Sequence, residues 1–330
     1  MSRICIIGAG SWALALALTL DKNNNDVTIW SAVEEELDIL EKERENKKYL
    51  PGIKIPNRII INKNLESALK NKDIVVFAVA SPYVRQVAKK VNEFISFRPV
   101  IVNVAKGIEE TTLMTLSEVI KDEIPSARVC VLSGPSHAEE VAKEIPTTCV
   151  VGCKDKDIAK YLQKVFMNDY FRVYTSEDVL GIELGASLKN IIALAAGILD
   201  GLGCGDNTKA ALITRGIYEI SKLGVAMGGK IETFNGLTGI GDLIVTCTSM
   251  HSRNRKAGIL IGQGKTYDEA MQEVKMVVEG VHSAKAALLL SQKYKIEMPI
   301  VEEVNKVLFE NKKAKDSLKE LMNRKEKNEN

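Results

Sequence analysis

A lysine set in an apolar run is the chemically most pointed feature of this sequence. From Leu184 to Leu199 the only strongly polar side chains are Lys189 and Asn190, with Ser187 nearby. An ammonium there needs a cleft or a partner. Burial lowers a lysine's pKa and suits it to acid–base work, such as protonating the oxygen of a ketone that receives a hydride. The competing reading is a lysine snorkelling at a helix edge. Further on, Gly239-Ile240-Gly241-Asp242-Leu243 presents a glycine-flanked carboxylate. His251-Ser252-Arg253-Asn254-Arg255 then opens a helical run. Serine, arginine and asparagine at a helix start suit an anion such as a phosphate, through the guanidinium fork and the free amides. The same residues also fit an N-cap serine with solvated arginines.

A second chemistry sits at the N-terminus. Gly8-Ala9-Gly10-Ser11-Trp12-Ala13 follows an apolar run and opens a helix, the G-x-G-x-x-G/A pattern of dinucleotide sites. Gly8 permits the tight turn, Gly10 lets the backbone approach a pyrophosphate, and Ala13 allows close helix–strand packing. Past the second run come Ser31-Ala32-Val33 and the acidic Glu34-Glu35-Glu36. An NAD site usually has an acid near here and an NADP site a base. The acidic cluster disfavours a 2′-phosphate, which leans the expectation to NAD over NADP. It also fits a solvated first helical turn. Lys106, in Asn103-Val104-Ala105-Lys106-Gly107, and the turn Ser133-Gly134-Pro135-Ser136-His137 both follow strand-like runs. Residues past the carboxyl ends of parallel strands lie where ligands bind.

These groups need a frame to position them. Runs expected as strands are Ile4–Ile7, Val27–Trp30, Ile74–Val79, Val100–Val104 and Val129–Leu132, with Thr147–Val151 weaker. Amphipathic stretches such as Glu34–Lys47 and Pro82–Phe94 separate them. This alternation implies βαβ units and a parallel, Rossmann-type doubly wound sheet. After about residue 178 the pattern turns helical, with long helices over Asp178–Leu199 and Asn207–Met227 and a charged helix fraying into a tail over Lys312–Asn330. The expected fold is therefore α/β, with a dinucleotide-binding domain over 1–178 and an all-helical substrate-binding and catalytic domain over 179–330. The chain of 330 residues is 45% apolar and 27% charged, ordinary for a globular protein. A net charge of +2 gives no hint of nucleic acid. No run of about 18 uncharged apolar residues suggests membrane insertion, and Met1 leads into Arg3-Ile4-Cys5 with no secretory pattern, so the expected compartment is the cytoplasm. The six cysteines form no C-x-x-C pair and read as buried free thiols; three histidines give no zinc spacing, so no metal is expected.

The motifs in order resemble the bacterial NAD(P)-dependent glycerol-3-phosphate dehydrogenase family over nearly the whole chain. The resemblance rests on Gly8-Ala9-Gly10-Ser11-Trp12, Ala105-Lys106-Gly107, Leu132-Ser133-Gly134-Pro135-Ser136-His137-Ala138 and Leu188-Lys189-Asn190. It continues through Ala211-Leu212-Ile213-Thr214-Arg215-Gly216, Gly241-Asp242-Leu243 and Ser252-Arg253-Asn254-Arg255. It implies interconversion of glycerol 3-phosphate and dihydroxyacetone phosphate, a phosphorylated triose. By the same resemblance Lys189 is the proton donor and acceptor, Asp242 orients it, Thr246 lines the site, and Lys106 lies between cofactor and substrate. Arg253, Asn254 and Ser252 hold the phosphate, and Gly134 and Ser136 touch the substrate. Ser11, Trp12 and Ala138 touch the cofactor, as do Arg253, Val277 and Glu279. The resemblance also implies a homodimer that supplies glycerol phosphate for phospholipid synthesis. Two departures stand out. Ala13 replaces the family's usual glycine, and Ala32-Val33 stands where the family often has basic or histidine residues, which again disfavours NADP.

Two other classes compete. A ketopantoate or hydroxyacid reductase would use Arg253 for a carboxylate instead of a phosphate. A nucleotide-sensing protein without chemistry would need no lysine in an apolar helix, and would carry a basic recognition helix that is not seen here.

Overall fold

The computed structural model describes residues 1–95, 98–326, 328 and 329. Two compact units divide the chain: Met1–Glu109 with Met114–Glu183, and Glu110–Leu113 with Leu184–Asn330.

The first unit is built on eight strands. They are β1 (Arg3–Ile7), β2 (Asp26–Trp30), β3 (Ile60–Ile61), β4 (Ile74–Phe77), β5 (Val100–Asn103), β6 (Arg128–Ser133), β7 (Thr147–Gly152) and β8 (Phe171–Ser176). Their order in the sheet is β3-β2-β1-β4-β5-β6-β7-β8. Every residue of β4 and β5 is buried, as expected for near-continuous apolar strands covered on both faces. The connecting helices are α1 (Ser11–Lys22), α2 (Glu34–Glu43), α3 (Leu65–Leu69), α4 (Val84–Asn92), α5 (Leu116–Glu123), α6 (Ala138–Val141) and α7 (Lys156–Phe166). Several starts are capped as their sequences dictate. Thr115 and Glu118 form a reciprocal capping box on α5, and Asp155 accepts from two amides of α7.

Three differences from the sequence reading have physical causes. β7 runs antiparallel to β6, so the sheet is mixed and not wholly parallel. The α6 segment between them is a single turn, too short to carry the chain back for a parallel start. Two strands were not foreseen. β3 has only two residues, and β8 is an edge strand whose alternation is short. The expected strand ends at Val79 and Val104 run too far, because the chain leaves the sheet at Phe77 and Asn103.

The second unit is helical. Its elements are α8 (Val179–Gly201), which begins in the first unit, then α9 (Asp206–Ala226), α10 (Ile231–Phe234), α11 (Asp242–Thr248) and α12 (Arg253–Gly262). They continue with α13 (Tyr267–Val274), α14 (Glu279–Tyr294), α15 (Pro299–Phe309) and α16 (Ala314–Met322). Of the helix fraying into a tail expected over Lys312–Asn330, Ala314–Met322 form α16, and residues 327 and 330 lie outside the described residues. α8 is long and apolar enough to cross a membrane by length and composition, yet it is buried inside the protein.

One buried carboxyl helps hold this unit. Glu219, on α9, accepts from the amides of Ile300 and Val301 at the start of α15, whose N-cap Met298 gives no side-chain cap. Glu219 is 3% exposed, and burial pushes its carboxyl from 4.5 up to about 7 against the pull of those amides. Below pH 4.5 the group is protonated both folded and unfolded. Between 4.5 and about 7 the unfolded chain releases a proton that the folded chain keeps, so stability falls as pH rises through that window. The loss amounts to roughly 3 kcal/mol, fully developed above pH 7. Glu219→Gln is therefore expected to flatten the fall in Tm between pH 5 and pH 8; thermal melts of both proteins check this, and parallel curves would refute it.

Candidate active site

In the first unit the strand order reverses between β1 and β4, the place where doubly wound sheets bind ligands. β1 ends at Ile7, and Gly8 follows with φ +124. A Cβ on Gly8 would sit 2.4 Å from the Ala78 carbonyl oxygen, so glycine is obligatory on both counts. Its amide donates to the Trp30 carbonyl at 2.7 Å, tying the turn to the end of β2. Gly10 is the N-cap of α1, with no side-chain cap and nothing within 4 Å of its Cβ position. The start of a twelve-residue helix thus faces open space with its backbone bare, the arrangement that takes a pyrophosphate. Trp12 adds an indole N–H that is buried without a hydrogen-bond partner. Ala13 is fully buried against the sheet, so the departure from glycine there does not hinder packing.

At the end of β2, Ser31 donates to Glu36 at 2.8 Å and accepts from the Val33 amide. Ala32 and Val33 are exposed and lead directly into Glu34-Glu35-Glu36, the first turn of α2.

The loops after β5 and β6 meet. Lys106 Nζ donates to the Gly134 carbonyl at 3.0 Å, and Ser136 Oγ donates to the same oxygen at 3.0 Å. Gly134 has φ +149, and a Cβ would lie 2.9 Å from the Thr148 carbonyl. Ala138 starts α6 and is buried, while His137 is its half-buried N-cap. A bracket that sequence reasoning missed holds the Lys106 loop. Asn103 accepts from the Ala105 amide at 3.1 Å and donates to the Ala105 carbonyl and to Glu183 Oε1. Glu183 also takes the Ser117 amide and hydroxyl. Burial raises the Glu183 carboxyl above its ordinary range despite these donors. An acid two residues before the Gly185-Ala186-Ser187 stretch was the visible signal.

In the second unit, Lys189 Nζ lies 2.6 Å from Asp242 Oδ1 and 2.6 Å from Thr246 Oγ. The side chains of Lys189 and Asp242 are only 6% and 2% exposed, so the ammonium's charge is balanced at contact distance in a dry setting. Thr246 accepts from Lys189 and donates to the Asp242 carbonyl. A π-helical turn, Leu237–Gly241, leads into α11 and sets Asp242 at its first position. The turn can approach α8 because Gly185 stands there: a Cβ would be 2.7 Å from the Thr238 carbonyl.

Next along α8, Asn190 accepts from Asn254 Nδ2 at 2.9 Å, and Asn254 Oδ1 accepts the Gly280 amide at 2.8 Å. Ser252 caps α12 by accepting from the Arg255 amide. Of the two arginines, Arg255 is tied to Asp200, which also holds Lys209. Burial alone would raise the Asp200 carboxyl, but these two cations hold it below its usual range. Arg253 is exposed at the first position of α12. Val277 and Glu279 are half-buried around the start of α14, where a Cβ on Gly280 would meet the Asn190 carbonyl at 2.5 Å. The helical unit therefore gathers Lys189, Asn190, Asp242, Thr246, Ser252, Arg253 and Asn254, with Val277 and Glu279 near Asn254.

α8 and α12 touch through backbone. Cβ atoms on Gly197 and Gly201 would lie 2.0 Å from the Arg255 carbonyl and 2.3 Å from that of Ile259. On Gly258 and Gly262 they would lie 2.1 Å from the Leu194 carbonyl and 2.3 Å from that of Ile198.

Family models described as the NAD-dependent glycerol-3-phosphate dehydrogenase N-terminus and C-terminus match residues 3–159 and 178–319. A glycerol-3-phosphate dehydrogenase [NAD(P)+] of Agathobacter rectalis is 61% identical over 98% of this chain and 96% of its own. The chain belongs to the NAD-dependent glycerol-3-phosphate dehydrogenase family. A second family member, from Fusobacterium nucleatum, is 59% identical over 98% of this chain and 97% of its own. The crystal structure of glycerol-3-phosphate dehydrogenase from Coxiella burnetii superposes with a TM-score of 0.95 at 36% identity, covering 98% of this chain and 99% of that one. The family's fold, a mostly parallel sheet unit followed by a helical unit, is the one described above.

The glycine seam yields a test. Gly258→Ala pushes a methyl into the Leu194 carbonyl, and overpacking of this kind costs about 1–3 kcal/mol. A Tm lowered by several degrees is expected; an unchanged melt would mean that α12 can move off α8.

Proposed function

We propose that this chain catalyses the reversible reduction of dihydroxyacetone phosphate to glycerol 3-phosphate with NAD(P) as redox partner. The observation that carries the mechanism is the buried Lys189 ammonium at 2.6 Å from both Asp242 and Thr246. Family membership supports the substrate and the cofactor class.

The bare glycine turn at Gly8 and Gly10 and the unpartnered Trp12 indole fit a dinucleotide, with Ser11, Ala138 and Lys106 as further contacts. Arg253, Val277 and Glu279 are the contacts assigned to it in the helical unit. When bound, the nicotinamide donates or accepts the hydride. Lys189 delivers its proton to the carbonyl oxygen as the alcohol forms, and takes one back as a neutral amine in the reverse direction. Asp242 and Thr246 aim the ammonium and compensate its charge. Lys106, braced through Asn103 and Glu183, stabilises negative charge developing on the oxygen. Arg253, the capped start of α12 at Ser252 and the second N–H of the Asn254 amide hold the phosphate. Gly134 and Ser136 border the substrate. The acidic Glu34-Glu35-Glu36 and the absence of a base at Ala32-Val33 favour NAD over NADP. The family resemblance supports a cytoplasmic homodimer that supplies glycerol phosphate to phospholipid synthesis.

Three outcomes are expected. Mixed with dihydroxyacetone phosphate, the protein oxidises NADH with a higher kcat/KM than NADPH, followed by absorbance; no oxidation of either by folded protein would discard the substrate. Lys189→Ala lowers kcat by about 10²-fold or more while nucleotide affinity stays close to wild type; turnover like wild type would remove Lys189 from its role. Arg253→Ala raises the KM for dihydroxyacetone phosphate more than it lowers kcat, and an unchanged KM would move the phosphate elsewhere.

A further inference from the structure

β6 and β7 form the only antiparallel strand pair among the described residues. Their register sets Val131 opposite Gly152, so one step further Cys130 stands opposite Cys153. Cys153 turns its amide away from β6 and donates to the Ser176 carbonyl at the end of β8. Cys130 and Cys153 therefore occupy a non-hydrogen-bonded cross-strand position. There Cα atoms lie closest, at about 4.5 Å, and both side chains leave the same face. That spacing falls inside the range of about 4.4–6.8 Å that a disulfide spans without backbone movement.

The side chains agree with the backbone. The two sulfurs are 2.6 Å apart, with the Cys130 thiol donating to Cys153. That hydrogen bond and the Asp155 amide draw the Cys153 thiol below its ordinary range, against the effect of burial. Cys130 is pushed up by the same pairing and by burial. At this distance each sulfur is within reach of an oxidised partner, and the Asp155 amide beside Cys153 favours its thiolate as the nucleophile. Cys5 and Cys247 stand apart from this pattern, pushed up to about 12 by burial. The pair is buried, with Cys130 0% and Cys153 4% exposed, and Arg128 and Asp155, each two residues from one of its cysteines, line a surface cavity of about 500 Å³.

We propose that Cys130 and Cys153 form an oxidation site, closing to a disulfide with hydrogen peroxide and reopening with a dithiol reductant. The Cys153 thiolate attacks one peroxide oxygen, an S–O bond forms, the O–O bond breaks, and the departing hydroxide takes a proton to become water. The Cys130 sulfur then attacks the Cys153 sulfur. The S–S bond forms as the S–O bond breaks, and a second water leaves with the Cys130 proton. Two thiols lose two electrons, and one peroxide becomes two waters. The crosslink joins β6 to β7 just before Ser133-Gly134, where a Cβ on Gly134 would lie 3.0 Å from the Cys149 Cα. It is expected to raise Tm by roughly 5–10 °C by closing that loop in the unfolded chain.

The experiment uses the whole wild-type protein, treated with a small excess of hydrogen peroxide, denatured, alkylated, digested without reductant and analysed by mass spectrometry. The expected result is loss of two of the six alkylatable thiols. A linked peptide pair containing Cys130 and Cys153 should appear, two hydrogens lighter than the separate peptides. The raised Tm should return to its starting value with dithiothreitol, and Cys153→Ser should lose both effects. Six thiols still alkylatable after peroxide, a link between other cysteines, or over-oxidation of Cys153 without a link would each overturn the proposal.

Discussion

A positive charge held inside an apolar helix constrains most of the helical unit. Lys189 is tolerable at its depth only while Asp242 and Thr246 reach it, because an unpaired buried charge costs several kcal/mol. α11 must therefore start beside the middle of α8. That requirement explains the π-helical turn before Asp242 and the glycine at position 185, which lets the Thr238 carbonyl come close. It also explains why Thr246 donates to the Asp242 carbonyl: its hydroxyl then offers a lone pair, not a proton, to the ammonium. An apolar helix that could be mistaken for a membrane span is thus the wall of a polar site.

The sheet unit works through backbone where the helical unit works through a side-chain pair. Gly8 and Gly134 both adopt positive φ at the ends of strands, and each passes within contact of a neighbouring carbonyl. No other residue could place the chain there, so both loops are pinned by the absence of a side chain. Lys106 is pinned differently. Asn103 copies a backbone partner by bonding both polar groups of Ala105, and the buried Glu183 keeps Asn103 in that orientation.

Much of this was legible in the residues and some was not. The glycine turn, the lysine in its apolar run and the capped start of α12 are local patterns, and the structure sets Asp242 and Thr246 within hydrogen-bond reach of Lys189. Features that depend on distant partners were hidden. Nothing local distinguishes Arg253 from Arg255; only the position of Asp200 shows which guanidinium is already engaged. Asn103 looks like the last residue of a strand until Glu183 is found beside it. The reversal of β7 follows from the shortness of α6, which the run of residues after His137 did not reveal. β3 and β8 were missed because edge strands need little or no continuous apolar sequence.

The four-residue glycine spacing on α8 and on α12 makes the two helices a caliper. One jaw carries the Lys189 nitrogen and the other carries the Ser252-capped start of α12, and main-chain atoms set the gap between them. Side-chain drift elsewhere cannot widen or narrow that gap. The distance from Lys189 to the start of α12 is therefore fixed by no dedicated side chain: it is a property of how closely two helices lie.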